Sequence, residues 1–598
     1  DVCDFHIWAP LQNQLKILID DQKEAVPMQQ LEKGYWSLQA EQVKPGTRYQ
    51  YHLDSGENRP DPASFFQPEG VHGPSEVVDH HSHTWKDGSW QNIPLEQYII
   101  YEMHTGTFSP QGTFTGVREK LTVLKELGIT AIELMPVAQF PGSRNWGYDG
   151  AHPFAVQNSY GGPQALKQLV DEAHALGLAV ILDVVYNHMG PEGNYLGEYG
   201  HYYTGKYNTP WGKALNFDDA YSDEVRYYFI QNALYWMRHF HIDALRLDAV
   251  HAICDLGAKH FLAELAEAKA ELSAETGRPF YLIAESNQND PRMVTRLEKN
   301  GWGMDAQWSD DFHHCFHTVL SGELSGYYMD YGQPKQIQKV FEESFVYSGD
   351  YSPFRKCRYG RSAKGFPPSQ FVVSVQNHDQ TGNRMLGERL ISLTSPEAAR
   401  LAAGAMLLSS YLPMLFMGEE YAESAPFLYF ISHGDKGLVK AVQEGRREEF
   451  NSFLWQGDPP DPQSTDTFEK CKLGWEQYKQ PGPQAMFAYY KKLISLRKNL
   501  PHFLGKDFSR VHTTMQRSHV LTVTRGNLPR AVVLIMNLSD TAQTYVIDDF
   551  SGTAKVMIDS SDTWWGGDGK TLPQSILPGQ NINLPAWHFS ALQLKEES

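Results

Sequence analysis

The chain has no excess of basic residues. Its 52 Lys and Arg are outnumbered by 71 Asp and Glu, a formal net charge of −19. A nucleic-acid partner needs a basic footprint, so this balance argues against one. Cysteine is scarce: Cys3, Cys254, Cys315, Cys357 and Cys471, with no C-x-x-C pair. Neither a zinc ribbon nor a disulfide framework is indicated, and free buried thiols in a reducing compartment are expected. Long hydrophobic runs are missing too. The longest apolar stretch, 401–416, is broken by Gly404, Ser409, Ser410 and Pro413, too short and too polar to span a bilayer. The opening DVCDFHIWAP has neither a basic n-region nor an apolar h-region, so no secretory signal is read. Together these point to a cytoplasmic protein without a membrane partner. There is no internal repeat and no low-complexity segment.

What is present is a globular composition, 41% hydrophobic and 21% charged, over 598 residues, enough for several domains or one large barrel with appendages. Aromatics reach 13%, with 14 Trp and 31 Tyr. Most of these are core residues by default, but aromatic faces also suit the apolar faces of sugar rings.

The chain divides into three parts by pattern. Residues 1–90 carry short strands, around Phe5–Trp8, Leu15–Ile19, Tyr35–Leu38 and Tyr49–Leu53, at a spacing that suggests an N-terminal β-sandwich. Over 91–505, buried strands alternate with amphipathic helices. Strands are expected near 98–103, 132–135, 178–186, 244–247, 280–283, 305–308, 371–375 and 414–416. Gly128 and Gly177 end two of the helices, and Ser222 caps a third that carries Val225, Phe229, Trp236 and Phe240. Eight such units fit a (β/α)8 barrel with long loops. A doubly wound sheet is the alternative, weakened because no G-x-G-x-x-G or G-x-x-x-x-G-K-[ST] follows the first strand. From 506 to 598 the helical pattern stops, and strands near 520–524, 531–536, 582–584 and 591–594 form a small C-terminal β-domain. The expected class is therefore multidomain α/β built around a TIM barrel.

In such a barrel, chemistry belongs at the C-terminal ends of the strands. The third strand ends with Asp183, Asn187 and His188, the fourth with Arg246 and Asp248, the fifth with Glu285 and the seventh with His378 and Asp379. Arg246 and Asp248 are two apart on a strand and face the same way, so the cation can hold the carboxylate ionised, as a nucleophile requires. Glu285 follows an apolar stretch that can raise its pKa, as a general acid requires. Two carboxylates flanking one bond are the machinery of glycoside hydrolysis, and Asp379 faces the same developing oxocarbenium ion. Each residue alone has a plainer reading as a helix cap or salt-bridge partner, and Asp183 with Asn187 and His188 could instead bind a metal. The coincidence of carboxylates at three strand ends favours catalysis.

The segments DVVYNH (183–188), DALRLDAVH (243–251), IAES (283–286) and QNHDQ (376–380) resemble, in order, the signature regions of the α-amylase superfamily of retaining glycoside hydrolases. The resemblance implies Asp248 as nucleophile, Glu285 as acid/base and Asp379 as stabilising carboxylate. It places Asp183, His188, Arg246 and His378 around the attacked sugar, with Tyr148 of NWGYD (145–149) stacking on it. The segments YEMHTGTF (101–108), WSDDFHH (308–314), QNHDQTGNR (376–384) and EYAESAPF (420–427) are similar to the trehalohydrolase branch of that superfamily. That closer likeness implies malto-oligosyltrehalose as substrate, Trp211, Tyr327, Phe354 and Arg355 on the leaving-group side, and no required metal or cofactor. A glycogen-branching transferase and a non-catalytic sugar-binding relative are the competing readings. The second normally lacks the acidic triad present here.

Overall fold

The computed structural model describes residues 2–20, 24–210, 212–450, 457–500, 511–526, 531–547 and 552–595. Its centre is a closed parallel barrel of β1 (Ile100–Met103), β2 (Ala131–Leu134), β3 (Ala179–Val184), β4 (Ala244–Leu247), β5 (Tyr281–Ala284), β6 (Ala306–Trp308), β7 (Phe371–Val373) and β8 (Leu412–Phe416), in that order around the ring. Each lies within or beside a stretch expected from hydrophobic runs. Such runs arise because barrel strands are covered on both faces.

The barrel interior changes character with height. Its lower layer is apolar: Ile100, Ala131, Ile181, Ala244 and Ile283 pack together with Ala179, Ala306, Val372 and Met414. Two residues further along, where the pleat returns a side chain to the same face, the same strands carry Glu102, Glu133, Asp183, Arg246 and Glu285. The floor is closed from below by the segment leading into β1, with Trp90, Ile93, Leu95 and Tyr98 packed on the apolar layer.

Beneath the barrel, a charged clamp ties this segment to the helices. His174, on the helix Gly162–Ala175, puts Nδ1 2.8 Å from Asp87 and Nε2 2.8 Å from Asp243. Asp243 also accepts from Arg278 and from the Trp90 indole, and Trp90 stacks on the His174 ring. Burial disfavours the charged imidazole, but Asp243 and Asp87 outweigh it and its pKa is raised.

The N-terminal region forms two antiparallel sheets. One joins Val2–Trp8, Tyr35–Glu41 and Gln29–Gln30. The other joins Val26–Pro27, Lys16–Ile19, Arg48–His52 and Asn58–Arg59, with Ser75–Glu76 pairing to Arg48–His52. It docks on the barrel's third loop and the following helix, where Tyr199 and Tyr228 donate to the Pro60 and Pro62 carbonyls. The C-terminal strands form a sheet of Val511–Gln516, Val520–Arg525, Val532–Asn537, Phe589–Lys595, Thr553–Asp559 and Ser575–Ile576, beside a hairpin-like pair of Gln543–Val546 and Asn581–Leu584. The expected seam at 506 lies outside the described residues.

Two expectations need correction. Ser222 does not cap its helix. The helix spans Ser222–His239 and starts at Ser222 itself, and Tyr221 precedes it in a left-handed conformation (φ 68°) without a side-chain cap bond; Phe240 follows as the C-cap. The cysteines are free but not uniformly buried: Cys315 and Cys471 are buried, Cys3 and Cys254 are intermediate and Cys357 is exposed.

Candidate active site

Register brings the two central carboxylates side by side. Leu247 of β4 pairs with Ala284 of β5, and Asp248 and Glu285 each stand one residue beyond. The ladder continues past the strand ends, with the Glu285 N–H donating to the Leu247 carbonyl. Arg246 is fully buried between them. Its Nη1 lies 2.7 Å from Asp248 Oδ1 and about equally from both oxygens of Asp183, at 3.0 and 2.9 Å, and its Nη2 lies 3.8 Å from Glu285 Oε2. The guanidinium also lies 4.4 Å from the centre of the Trp308 ring, an attraction between a cation and an aromatic face. The other oxygen of Asp248 accepts from the Asn187 amide at 2.7 Å, so both oxygens are held in the acceptor state of an anion.

Glu285 is treated differently. Burial pushes its pKa up; Arg246 opposes this, while Asp248, Asp310 and Asp379 reinforce it, and the result is about 8. Its Oε2 accepts from the Ala249 N–H at 2.6 Å. Ala249 makes that bond from a left-handed backbone (φ 39°, ψ 49°), a sparsely populated conformation for a residue with a Cβ. With Oε2 occupied by a donor, the carboxyl proton belongs on Oε1. One carboxylate accepting on both oxygens beside another pushed toward its neutral form is the arrangement double displacement needs.

Tyr148 closes one side. The preceding Gly147 has φ 108°, and a Cβ there would lie 2.2 Å from the Pro136 carbonyl oxygen, so only glycine makes this turn. Tyr148 stacks on His378 with 5.3 Å between ring centres, donates to Asp183 at 2.8 Å and lies 2.7 Å from His378 Nε2. On its far side His378 Nδ1 contacts Glu102 of β1. Burial disfavours the charged ring, but Asp379 and Glu102 more than offset it, and its pKa is raised to about 9. Asp183 is pushed up to about 7 by burial, with Arg246 opposing and Asp248 adding to the rise. His188 lies between the Asn187 amide oxygen and the Tyr148 carbonyl, and burial lowers its pKa. Both His rings thus border the site while holding Asn187 and Tyr148 in place. Asp379 is the most open carboxylate of the triad, with a side chain 41% exposed. A cleft of about 330 Å³ opens beside His188, lined by Asn194, Tyr195, Tyr203 and Lys213 among others.

A second group of expected residues meets on the loops after β6. Tyr327 and Phe354 make an edge contact, with 6.3 Å between ring centres. The Phe354 N–H donates to Asp330, the Arg355 guanidinium lies 3.5 Å from the same carboxylate, and Arg355 stacks on Tyr359. Trp211 lies outside the described residues. Among the described residues, no group of three or more His, Cys, Asp or Glu could hold a metal. The Asn187 amide is turned toward Asp248.

Glu102, Ala249 and Asp310 are not among the residues expected from the sequence. Glu102 was detectable as a charge inside the apolar run YIIYEM, and Asp310 by applying the strand-end rule to β6. The turn at Ala249 has no signal in its own residue type.

Residues 79–211 match the family model of the alpha amylase catalytic domain. The malto-oligosyltrehalose trehalohydrolase of Saccharolobus solfataricus is 49% identical over 83% of this chain and 85% of its own. The chain belongs to the malto-oligosyltrehalose trehalohydrolases. The Brevibacterium helvolum trehalohydrolase is 38% identical over 96% of this chain and 97% of its own, so the likeness to this family reaches both terminal regions. A 1,4-alpha-glucan branching enzyme of Pseudoalteromonas atlantica is 30% identical over only 41% of this chain and 37% of its own. Among solved structures, a Salmonella typhimurium protein assigned as an alpha amylase superposes with a TM-score of 0.90 at 36% identity, covering 100% of this chain and 98% of that one. A pullulanase from Anoxybacillus sp. LM18-11 shares the fold, with a TM-score of 0.73 at 18% identity over 99% of this chain and 86% of that one.

Proposed function

We propose that this trehalohydrolase family member cleaves the α-1,4 bond next to the terminal trehalose of malto-oligosyltrehalose by double displacement, with Asp248 as nucleophile and Glu285 as acid/base. The observation that carries the reading is the pairing of the two carboxylates across β4 and β5, one accepting on both oxygens from Arg246 and Asn187, the other pushed toward its neutral form.

In the first step an Asp248 oxygen attacks the anomeric carbon. The bond from that carbon to the leaving oxygen breaks, its electron pair stays on the oxygen, and that oxygen takes the Glu285 proton. Trehalose departs and a glycosyl ester remains on Asp248. In the second step Glu285, now ionised, takes a proton from water as the water oxygen attacks the same carbon. The ester bond breaks, Asp248 regains its charge and the malto-oligosaccharide leaves with its configuration retained. Asp379 faces the positive charge that develops on the sugar, Tyr148 offers its ring face, and Arg246 keeps three carboxylates together. Tyr327, Phe354 and Arg355 form the leaving-sugar side. Free cysteines support a reducing, cytoplasmic setting.

The test is product analysis on maltotriosyltrehalose and on plain maltohexaose. Trehalose should be the first small product, and the capped chain should react far faster. Comparable rates on both chains would refute the specificity in favour of an ordinary amylase, and new α-1,6 branches with little trehalose would indicate a transferase.

A further inference from the structure

We propose that Asp310 is a specificity residue of the leaving-sugar site, its carboxylate accepting hydrogen bonds from hydroxyls of the trehalose unit. The proposal rests on the reading of substrate given above and extends it to a residue outside the catalytic triad.

Topology sets the position. In the ring, β6 lies between β5, which delivers Glu285, and β7, which delivers Asp379. Asp310 follows the end of β6 by two residues and opens the helix Asp310–Ser321, so it stands on the same rim between the acid/base and the third carboxylate. Its charge is felt by Glu285, and it in turn feels Asp379, Arg246 and Arg355.

The contrast with its neighbour is informative. Asp311 is committed to the fold: it accepts from the Asn289 amide, the Tyr331 hydroxyl and the Val346 and Tyr347 N–H groups. The Asp310 side chain has no hydrogen bond or ion pair with any other described residue. Yet it is desolvated enough that burial, with Asp379, raises its pKa to about 7. The side chain is half-buried on the rim, and a carboxylate placed there without a partner in the protein keeps its acceptor positions open to a ligand. Arg355, further along the same connection between β6 and β7, is near enough to oppose that rise, and it is held by Asp330 and by stacking on Tyr359. An open acceptor with a donor nearby suits a ligand dense in hydroxyls, which both donate and accept. Trehalose and maltose present those hydroxyls in different directions, so a fixed acceptor can separate them. The plainer role is an Asp in the first turn of a helix, where its charge complements the N-terminal dipole. That role affects stability and does not discriminate between substrates.

The experiment uses the full chain with Asp310→Asn, which keeps the shape, and Asp310→Ala. For each, kcat/KM is measured on maltotriosyltrehalose and maltohexaose between pH 6 and 9, with circular dichroism and Tm as controls. In Asp310→Ala the capped-to-uncapped ratio should fall by about tenfold or more, the effect of losing a hydrogen bond to a charged acceptor. In both variants the alkaline limb should move to lower pH, because removing a negative neighbour eases ionisation of Glu285. A ratio within about twofold of wild type, with only Tm changed, overturns the proposal in favour of the helix role. A wild type that itself shows no preference for the capped chain overturns the substrate reading and this proposal together. A wild type with the preference and variants that keep it overturn the role of Asp310 alone.

Discussion

With Glu285 as the proposed acid/base, its proton sets an expected alkaline limit on the reaction. The acid/base must enter the first step protonated, and burial places its pKa near 8 rather than 4.5. Raising the pH through that value removes the proton, so kcat/KM falls on the alkaline side. With a pKa of about 8, the group is roughly nine-tenths protonated at pH 7 and one-tenth at pH 9, a loss of roughly tenfold. The assay is initial-rate release of trehalose from maltotriosyltrehalose at low substrate, where the profile reports the free enzyme. The same shift has a thermodynamic readout. A carboxyl whose folded pKa lies above its unfolded one binds more protons when folded, so its contribution to stability diminishes as pH rises between about 4.5 and 8. Glu285→Gln cannot ionise. It should therefore gain stability relative to wild type across that window, by a few kcal/mol at the upper end, while losing several orders of magnitude in rate. An alkaline limb centred at or below pH 6, or a stability difference independent of pH, would refute the assignment of Glu285 as a carboxyl kept neutral for catalysis.

Other consequences are as direct. Asp248→Ala should abolish hydrolysis with an unchanged circular dichroism spectrum; retention of more than roughly a tenth of the wild-type rate, about 1.4 kcal/mol of barrier, would remove it from the nucleophile's role. Proton NMR of fresh product should show the α-anomer first, and early β-anomer would mean that water, not Asp248, attacks the sugar. His174→Leu leaves Asp87 and Asp243 without their shared partner. It should cost about 3–5 kcal/mol in chemical denaturation, and a loss below about 1 kcal/mol would mean the clamp is not structural. Because the His174 pKa is raised by folding, the clamp's contribution is full at low pH and is lost as pH rises through the folded value.

The barrel was legible because its strands are continuous apolar runs, and the candidate site residues lie at the ends of those runs. Asp248, Glu285 and Asp379 follow from that rule, and Arg246 from a spacing of two. The C-terminal strands were harder to read. Gln543–Val546 and Thr553–Asp559 are partly exposed and mix Gln, Thr and Lys with apolar residues, so their hydrophobic signal is diluted. Ser222 failed as a cap because a tertiary contact, Tyr221 stacked on His201, fixes the chain's entry into that helix. The joining of His378 to Glu102 spans 276 residues of sequence and depends on barrel closure, which no local pattern encodes.

The segment Trp90–Tyr98 connects the N-terminal sheets to β1 and is also the stopper of the barrel floor. That double duty sets where a chimaera of this protein can be joined. Cutting just ahead of β1 would graft a foreign stopper under a native floor whose Ala131, Ala179, Ala244 and Ala306 are shaped to the rings of Trp90 and Tyr98. Cutting between Asp87 and Trp90 would divide the carboxylate from the indole that share the His174 imidazole. The tolerant seam lies upstream of Trp85, whose ring stacks on His241 beneath the barrel. An exchange of N-terminal regions among relatives joined there would keep stopper and floor together, and its remaining demand would be to rebuild the contacts of Tyr199 and Tyr228 with the Pro60 and Pro62 carbonyls on the third loop.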